Sequence, residues 1–209
     1  QDLDVKNVDM HHTVINGPPG VGKTELSKII AEIYNHLGFL KSNKVTSVKR
    51  NDLIAGYLGQ TAIKTAKVVE EARGGVLFID EAYSLANTEK DDSFSKECLD
   101  TLCESLSNYK NDLMVIIAGY ENELNNTFFR VNKGLDSRFI WRFSMDPYNP
   151  EELMEIYRKI VNLNEWFLKD DALSLEWFKK NSKCFTNYGR DMEQLFTYTK
   201  ICHSRRIYG

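Results

Sequence analysis

The residues with the clearest chemistry lie near the start of the chain, in a glycine-rich stretch that fits the pattern G-x-x-x-x-G-K-[ST] at every fixed position. The stretch reads Gly17, Pro18, Pro19, Gly20, Val21, Gly22, Lys23 and Thr24. Glycines let a backbone curl so that several N–H groups point inward at phosphate oxygens. In such a loop the lysine places its charge on the β- and γ-phosphates, and the threonine hydroxyl ligates Mg²⁺. We therefore predict a nucleotide-binding segment that extends to Glu25, in which Lys23 is also catalytic.

A second candidate is the acidic pair Asp80 and Glu81, which directly follows the apolar run VLFI. Such a run is typical of a strand buried on both faces, and the ligands of parallel sheets bind at the carboxyl ends of the strands. We expect Asp80 to hold Mg²⁺, mostly through water, and Glu81 to deprotonate the attacking water as a general base. The alternative is that the two acids merely end a strand at the surface. An Asp-Glu pair favours hydrolysis over phosphoryl transfer, because a bound water needs its own base.

A parallel sheet is needed to bring these two segments together. Continuous apolar runs predict five strands, at 12–16, 44–48, 76–80, 113–120 and 139–145. Helical periodicity and glycine stop signals predict helices at about 24–37, 62–73 and 93–109, and the glycine-bearing segment 51–61 is predicted as a loop. Strands that alternate with helices of this length imply βαβ units. We therefore expect an α/β fold of the P-loop NTPase kind, with a parallel five-stranded sheet flanked by helices.

The C-terminal part of the chain has a purely helical pattern. It predicts three helices, at about 151–163, 172–181 and 188–203. Pro147 and Pro150 mark a boundary with a helix start behind it. We therefore expect two domains, a nucleotide-binding α/β domain over 1–147 and a small α-helical lid over 148–209.

Composition narrows the classes of protein that fit. The chain has 209 residues, 27% of them charged, with a formal net charge of −3. That balance argues against nucleic acid as an obligatory partner. We expect no membrane helix, because no apolar stretch is long enough, and no signal peptide at the polar N-terminus, where the missing initiator methionine suggests an excised segment. None of the cysteines lies in a CxxC pair, so we expect no zinc site and a reducing, cytoplasmic location.

Five segments carry a resemblance over most of residues 12–145: GPPGVGKTELSKIIAEIY, DLIAGYLGQTAIKT, GGVLFIDEAYSLA, VIIAGY and GLDSRF. Together they resemble an AAA+ ATPase and, within that superfamily, the CbbX/SpoVK-like (CfxQ) group, which includes the red-type rubisco activases. AGYLGQT and GGVLFIDEAYSL are the parts most specific to this group. The resemblance implies ATP and Mg²⁺ as cofactors and an assembly of identical subunits, a hexamer when ATP is bound.

The resemblance also implies roles in two loops. Tyr57, Leu58 and Gly59 match the pore loop that grips a polypeptide in the central channel of a hexamer. The alternative for Tyr57 is an ordinary buried loop tyrosine. The polar sensor-1 residue follows the fourth strand in relatives, and Tyr120 and Asn122 are the candidates for it here.

Three arginines are candidates for contacts with the nucleotide. Arg138 matches the arginine finger, which reaches the γ-phosphate held by the neighbouring subunit and stabilises charge that grows in the transition state. The alternative is a surface arginine in a salt bridge, and Arg142 is a second candidate for the finger. Arg190 matches the sensor-2 arginine at the start of a lid helix. Asp136 departs from the pattern, because relatives often carry an arginine there.

The function predicted from these residues is that of an ATP-hydrolysing, ring-forming remodeller that drives a protein client through pore loops. The sequence does not identify the client. Three alternatives stay open at this point: an ATP-dependent scaffold or switch without threading, a nucleic-acid clamp or loader of the same fold, and a small-molecule kinase.

Overall fold

The computed structural model describes residues 10–57, 59–86, 93–169 and 173–208. The chain divides into two compact units. The first, called here the sheet unit, comprises the residues up to Gly17 together with Lys23–Ser144. The second, called here the helical unit, comprises Pro18–Gly22 and the chain from Met145 onward. The middle of the glycine-rich loop therefore packs with the helical unit, whereas its two ends belong to the sheet unit.

The sheet unit is built on a five-stranded parallel sheet of spatial order β2-β3-β4-β1-β5. The strands are β1 (Thr13–Asn16), β2 (Val45–Val48), β3 (Val76–Ile79), β4 (Met114–Gly119) and β5 (Trp141–Ser144). The three central strands are buried throughout, whereas β5 at one edge is exposed along its length. Burial on both faces explains why the central strands are continuous apolar runs. The predicted fold class is confirmed.

Seven helices of the sheet unit lie in the described residues. They are α1 (Lys23–His36), α2 (Arg50–Leu53), α3 (Thr61–Ala72), α4 (Ser93–Asn108), α5 (Glu121–Asn126), α6 (Phe128–Val131) and α7 (Lys133–Asp136), and a 3-10 turn spans Ala82–Leu85. The three long helices were predicted. The short ones were not, and α2 extends into the segment 51–61 that was predicted as a loop. A helix of four residues is about one turn, too short for a periodic pattern to show.

The core of the sheet unit lies where α3 and α4 cover the sheet. Cys98, Leu102 and Leu106 of α4 are fully buried there, as their spacing predicted. A buried histidine joins the layers: His12 donates through Nε2 to the Leu106 carbonyl (3.2 Å) and accepts at Nδ1 from the Val115 N–H (3.1 Å). Its ring therefore binds the start of β1 to both α4 and β4.

Over residues 145–169 and 173–208, the helical unit contains three helices and a 3-10 turn. These are α8 (Pro150–Leu163), α9 (Leu175–Asn181), the turn Ser182–Cys184 and α10 (Gly189–Tyr208). A capping box begins α8: Asn149 Oδ1 accepts from the Glu152 N–H (2.9 Å), and Glu152 Oε2 accepts from the Asn149 N–H (2.8 Å). Within the described residues, no helix combines the length and the apolar character needed to cross a bilayer.

The core of the helical unit is separate from that of the sheet unit. It is formed by Leu153, Tyr157, Val161, Phe178, Phe185, Met192 and Phe196. The Tyr157 hydroxyl is hydrogen bonded to Thr199 Oγ1 (2.8 Å), which joins α8 to α10. The segment before α8 also contributes, since the partly buried Tyr148 packs against this core.

Candidate nucleotide-binding site

The glycine-rich loop has the backbone that phosphate binding requires. It leaves β1 at Asn16 and enters α1 at Lys23. Gly20 and Gly22 have φ values of +81° and +91°, which side chains larger than hydrogen rarely tolerate. Among the described residues, no acceptor is hydrogen bonded to the N–H groups at 20, 21, 22 and 24. Unpaired N–H groups at the start of a helix form an anion site, so the loop fits a phosphate chain.

The two ends of the loop are fixed within the sheet unit. The Gly17 N–H donates to the Gly119 carbonyl of β4 (3.2 Å). The Lys23 ammonium donates to the Gly17 carbonyl (2.8 Å). The lysine side chain therefore reaches from the C-terminal end of the loop back to its N-terminal end. The positive charge of Lys23 is therefore held against the loop backbone.

The middle of the loop is fixed by residues of the helical unit. The Gly189 N–H donates to the Gly20 carbonyl (2.9 Å), and the Tyr148 hydroxyl donates to the Val21 carbonyl (2.8 Å). A Cβ atom added to Gly20 would lie 1.8 Å from the Asn187 carbonyl oxygen. The pattern G-x-x-x-x-G-K-[ST] predicted the glycines, but nothing in the sequence pointed to Tyr148 or Asn187 as their neighbours.

Arg190 lies in the first turn of α10, one residue after the Gly189 that contacts the loop. Its side chain is exposed and, within the part of the chain that the structure describes, has no hydrogen bond or ion pair. The turn before it is held by Asp191, whose Oδ2 accepts from the Asn187 N–H (2.7 Å). The backbone of Tyr188 is in the left-handed region, with φ of +47°. Arg190 therefore follows directly after the glycine that contacts the loop, and its guanidinium has no partner in the described residues.

The acidic pair lies at the carboxyl end of β3, as its position in the sequence predicted. The Asp80 N–H donates to the Val48 carbonyl of β2 (3.0 Å), and Asp80 Oδ1 accepts from the Glu81 N–H (3.1 Å). Glu81 is exposed and has a left-handed backbone, with φ of 53° and ψ of 44°. For a residue other than glycine that conformation costs about 1–3 kcal/mol, and such strain concentrates at functional sites.

The pKa of Tyr83 reflects the negative charge around Asp80 and Glu81. Burial, and then the negative charges of Glu81 and Glu123, raise the pKa of Tyr83 to about 12. Tyr120, which follows β4, lies near Tyr83, with ring centroids 6.3 Å apart and the ring planes tilted by 40°. Asn122, the other sensor-1 candidate, is exposed on α5. Several carboxylates therefore act on one tyrosine at this edge of the sheet, a field that a cation would offset.

The donor set fits Mg²⁺ bound together with phosphate. The described residues contain no cluster of three or more His, Cys, Asp or Glu side chains that could hold a metal by themselves. In phosphate sites Mg²⁺ takes only one or two protein oxygens and fills its octahedron with phosphates and water. The Thr24 hydroxyl and the Asp80 carboxylate are of the required type. Ser27 Oγ donates to the Thr24 carbonyl (2.6 Å), which stiffens the first turn of α1.

Arg138 is half-buried after α7 and is held by two bonds in its own chain. Its Nε donates to Ser107 Oγ (2.9 Å), and its Nη1 donates to the Gly134 carbonyl (2.6 Å). Nη2 donates to no residue in the described ranges, and Arg138 forms no ion pair with any of them. The guanidinium is therefore fixed at two nitrogens while the third is unpaired.

Arg142 on β5 is engaged differently. It forms an ion pair with Asp136, donates to Asn125 Oδ1 (3.4 Å) and lies 4.5 Å from the centroid of the Phe129 ring. Asp136, the residue that departs from the pattern of relatives, thus pairs with the second candidate for the finger. These contacts leave Arg142 less available than Arg138 to a ligand.

The loop that contains Tyr57 lies between α2 and α3. Tyr57 is 75% exposed, so it is not a buried loop tyrosine. Gly59 has φ of +75° and open space around it, whereas Leu58 lies outside the described residues. The base of the loop is anchored by the Ala55 N–H, which donates to Thr61 Oγ1 (3.2 Å).

A parallel sheet with a glycine-rich loop after β1 and an acidic pair after β3, which β4 separates from β1, defines the class of P-loop NTPases. Within that class the chain belongs to the AAA family, the ATPase family associated with various cellular activities, whose model matches residues 13–140. It therefore contains an AAA ATPase domain. The chain is 43% identical over 208 residues to the cfxQ-like protein R730 of Acanthamoeba polyphaga mimivirus, covering 99% of this chain and 51% of that protein. The resemblance to the CfxQ group is confirmed.

Further similarities extend to bacteria and to solved structures. The chain is 43% identical over 163 residues to the ESX-1 secretion system protein EccA1 of Mycolicibacterium smegmatis, covering 77% of this chain and 28% of that one. It thus spans about half the length of the viral relative and less of the bacterial one. The crystal structure of the FIGL-1 AAA domain in complex with ADP superposes with a TM-score of 0.64 at 21% identity, covering 95% of this chain and 63% of that one. That likeness supports the fold.

Proposed function

We propose that this chain binds ATP with Mg²⁺ in the glycine-rich loop and hydrolyses it as one subunit of a hexameric ring that remodels a protein client. The observation that carries the proposal is the row of unpaired N–H groups at 20, 21, 22 and 24, with an exposed, left-handed Glu81 after β3. Membership of the AAA family supports it further.

Binding of the triphosphate follows from the polarity of the loop. Its N–H groups and the start of α1 favour negative charge, and Lys23 adds a full positive charge at the same backbone. Mg²⁺ held by Thr24 and Asp80 would neutralise charge on the β- and γ-phosphate oxygens. Arg190 has no partner in the described residues and directly follows the Gly189 that holds the Gly20 carbonyl, so it is suited to contact a phosphate in the loop. We propose the helical unit as the lid.

Hydrolysis needs a base for the attacking water. Glu81 is exposed, so its carboxylate is accessible to water, and its backbone is held by the Ser84 N–H, which donates to the Glu81 carbonyl (2.8 Å). General-base catalysis of this kind contributes about 10²–10⁴-fold in rate. The kinase alternative is less well supported, because a base beside the metal carboxylate serves a water better than a second substrate.

Arg138 completes the site from a neighbouring subunit in this proposal. Its unpaired Nη2 can reach an anion while Ser107 and Gly134 hold the other two nitrogens. A cation supplied in trans to a transferring phosphoryl group is worth about 10³–10⁵-fold in rate. Since the finger acts between subunits, the activity should depend on protein concentration.

The decisive experiment compares steady-state ATP hydrolysis by the wild type, Glu81→Gln and Arg138→Ala at concentrations that favour assembly. We expect both variants to lose at least about 10²-fold in turnover. Glu81→Gln should still bind ATP and should trap the assembled ring in sizing experiments. Undiminished turnover in both variants would refute the assignment of these roles.

Threading of a polypeptide is distinguished from scaffolding by Tyr57. Its exposure on a loop with room around Gly59 favours a role in gripping a chain. Tyr57→Ala should keep basal ATP hydrolysis but lose the stimulation that an unstructured polypeptide such as casein gives the wild type. A scaffold or switch would lose neither. The nucleic-acid alternative would show as DNA or RNA binding that weakens steeply with salt.

We also propose a cytoplasmic location. It is supported by the free cysteines Cys98, Cys103, Cys184 and Cys202, two of which are exposed. Exposed free thiols are usual where the surroundings are reducing.

A further inference from the structure

We propose that Tyr148 is a positioning residue for nucleotide binding: by holding the Val21 carbonyl, its hydroxyl fixes the loop in the conformation that turns the loop N–H groups toward phosphate. The inference rests on the proposed function, since it needs a nucleotide in this loop. Tyr148 lies in the segment between β5 and α8, far from the loop in sequence. No motif of the chain contains it.

The tyrosine is anchored at both ends. Its ring packs against the core of the helical unit and meets the Tyr188 ring edge to face, with centroids 6.4 Å apart. Its hydroxyl donates to the Val21 carbonyl at 2.8 Å, and a Cβ atom on Gly22 would lie 3.4 Å from the same hydroxyl. Because the ring is packed, the hydroxyl is a fixed point to which the loop is tied.

The geometry of the peptide unit turns this contact into a binding effect. The carbonyl of one residue and the N–H of the next belong to one planar, trans peptide and point in opposite directions. When Tyr148 holds the Val21 carbonyl, the Gly22 N–H must point to the opposite side. The Gly189 N–H does the same for the preceding peptide, since it holds the Gly20 carbonyl and so orients the Val21 N–H.

Without the tyrosine hydroxyl the peptide between Val21 and Gly22 would have more freedom. Glycine occupies positive and negative φ about equally well, so the +91° of Gly22 needs an outside constraint. A loop that samples other peptide orientations presents fewer aligned N–H groups and binds anions more weakly. Loss of one neutral hydrogen bond of this kind corresponds to a fall in affinity of about three- to ten-fold.

The chain offers a matched control for the test. Tyr157 lies in the same helical unit, and its hydroxyl also makes one hydrogen bond of 2.8 Å, to Thr199 Oγ1, within the core. Tyr148→Phe and Tyr157→Phe therefore each remove one hydroxyl and keep the ring. Only the hydrogen bond of Tyr148 has its acceptor in the glycine-rich loop.

The experiment measures the dissociation constants of a fluorescent ATP analogue and of ADP, with Mg²⁺, by equilibrium titration in the cold, where destabilised variants stay folded. We expect Tyr148→Phe to raise both constants about three- to ten-fold and Tyr157→Phe to leave them within about two-fold of the wild type. Thermal unfolding without nucleotide should show similar losses in the two variants.

The outcomes separate this inference from the proposed function. If the wild type binds no nucleotide, or if Lys23→Ala binds as tightly as the wild type, the proposed function fails. If the wild type binds and Lys23→Ala does not, while Tyr148→Phe and Tyr157→Phe have equal constants, the tyrosine is structural only and the inference is overturned. A loss of affinity of about three-fold or more in Tyr148→Phe alone supports it.

Discussion

Acidification should destabilise the sheet unit through His12, and the size of the effect follows from its surroundings. The ring is 1% exposed, and both nitrogens are used: Nδ1 accepts from the Val115 N–H and Nε2 donates to the Leu106 carbonyl. Protonation at Nδ1 would place its new N–H against the Val115 N–H, so that hydrogen bond would be lost. Burial, with further contributions from the charges of His11 and Arg138, lowers the pKa of His12 from 6.5 to about 4.

The sign of the effect follows from linkage. Because the folded pKa lies below the unfolded value, the unfolded chain binds more protons between the two values, and stability falls as the pH falls through that window. The contribution of His12 is fully present above about pH 6.5 and is lost by about pH 4. At about 1.4 kcal/mol for each pKa unit, the total loss is about 3 kcal/mol.

The assay compares urea unfolding of the wild type and His12→Gln across this pH range. Glutamine can keep one of the two hydrogen bonds but cannot titrate, so the variant should be less stable at neutral pH and should fall less steeply between pH 6.5 and 4. His36→Gln is the control, since His36 is exposed on α1. The carboxylates titrate in the wild type and in His12→Gln alike. Subtracting one curve of unfolding free energy against pH from the other therefore removes their contribution. Parallel curves for the wild type and His12→Gln, or an NMR titration of His12 centred near its ordinary pKa, would refute the reasoning.

Two further substitutions test the site. Ser107→Ala should lower ATP turnover about three- to ten-fold, because Arg138 loses the acceptor of its Nε, whereas Ser107→Thr should restore turnover by supplying another hydroxyl. Equal turnover of the alanine and threonine variants would argue against positioning through this bond. Gly20→Ala should abolish nucleotide binding in a titration, because its Cβ would meet a backbone carbonyl at 1.8 Å at a φ of +81°. If this variant still binds nucleotide, the loop can move away from the Asn187 carbonyl and the predicted clash does not control binding.

The sequence predicted the parts of the fold that repeat a simple pattern. The central strands are continuous apolar runs, and the long helices have apolar residues at helical spacing. It did not predict which side of a helix faces the core. On α1 the apolar periodicity is strong, yet the side chains of Ile29 and Ile33 are 54% and 49% exposed. Ser27 and Ala31 on the same helix are buried. Periodicity reports that a helix can form, but packing against the neighbouring elements decides which face is covered.

The same distinction applies to the site. The glycines, Lys23 and the acidic pair were predicted, because their chemistry is local and their spacing is fixed by the backbone. Tyr148 was not, because its contact with Val21 joins segments that only the folded chain brings together. Asp136 was noted as a departure, but its ion pair with Arg142 depends on how α7 meets β5.

The distribution of hydrogen bonds argues for a ligand more strongly than any one residue does. In the loop, the carbonyls at 17, 20 and 21 are bound by protein donors, whereas the N–H groups at 20, 21, 22 and 24 have no acceptor in the described residues. Arg138 shows the same division, with two nitrogens bound and Nη2 unpaired. A purely structural loop or arginine would gain by pairing donors as well as acceptors, since each unpaired group costs free energy when water is excluded. Both places leave donors unpaired and fix the groups around them, which is the arrangement that favours an anion such as a triphosphate.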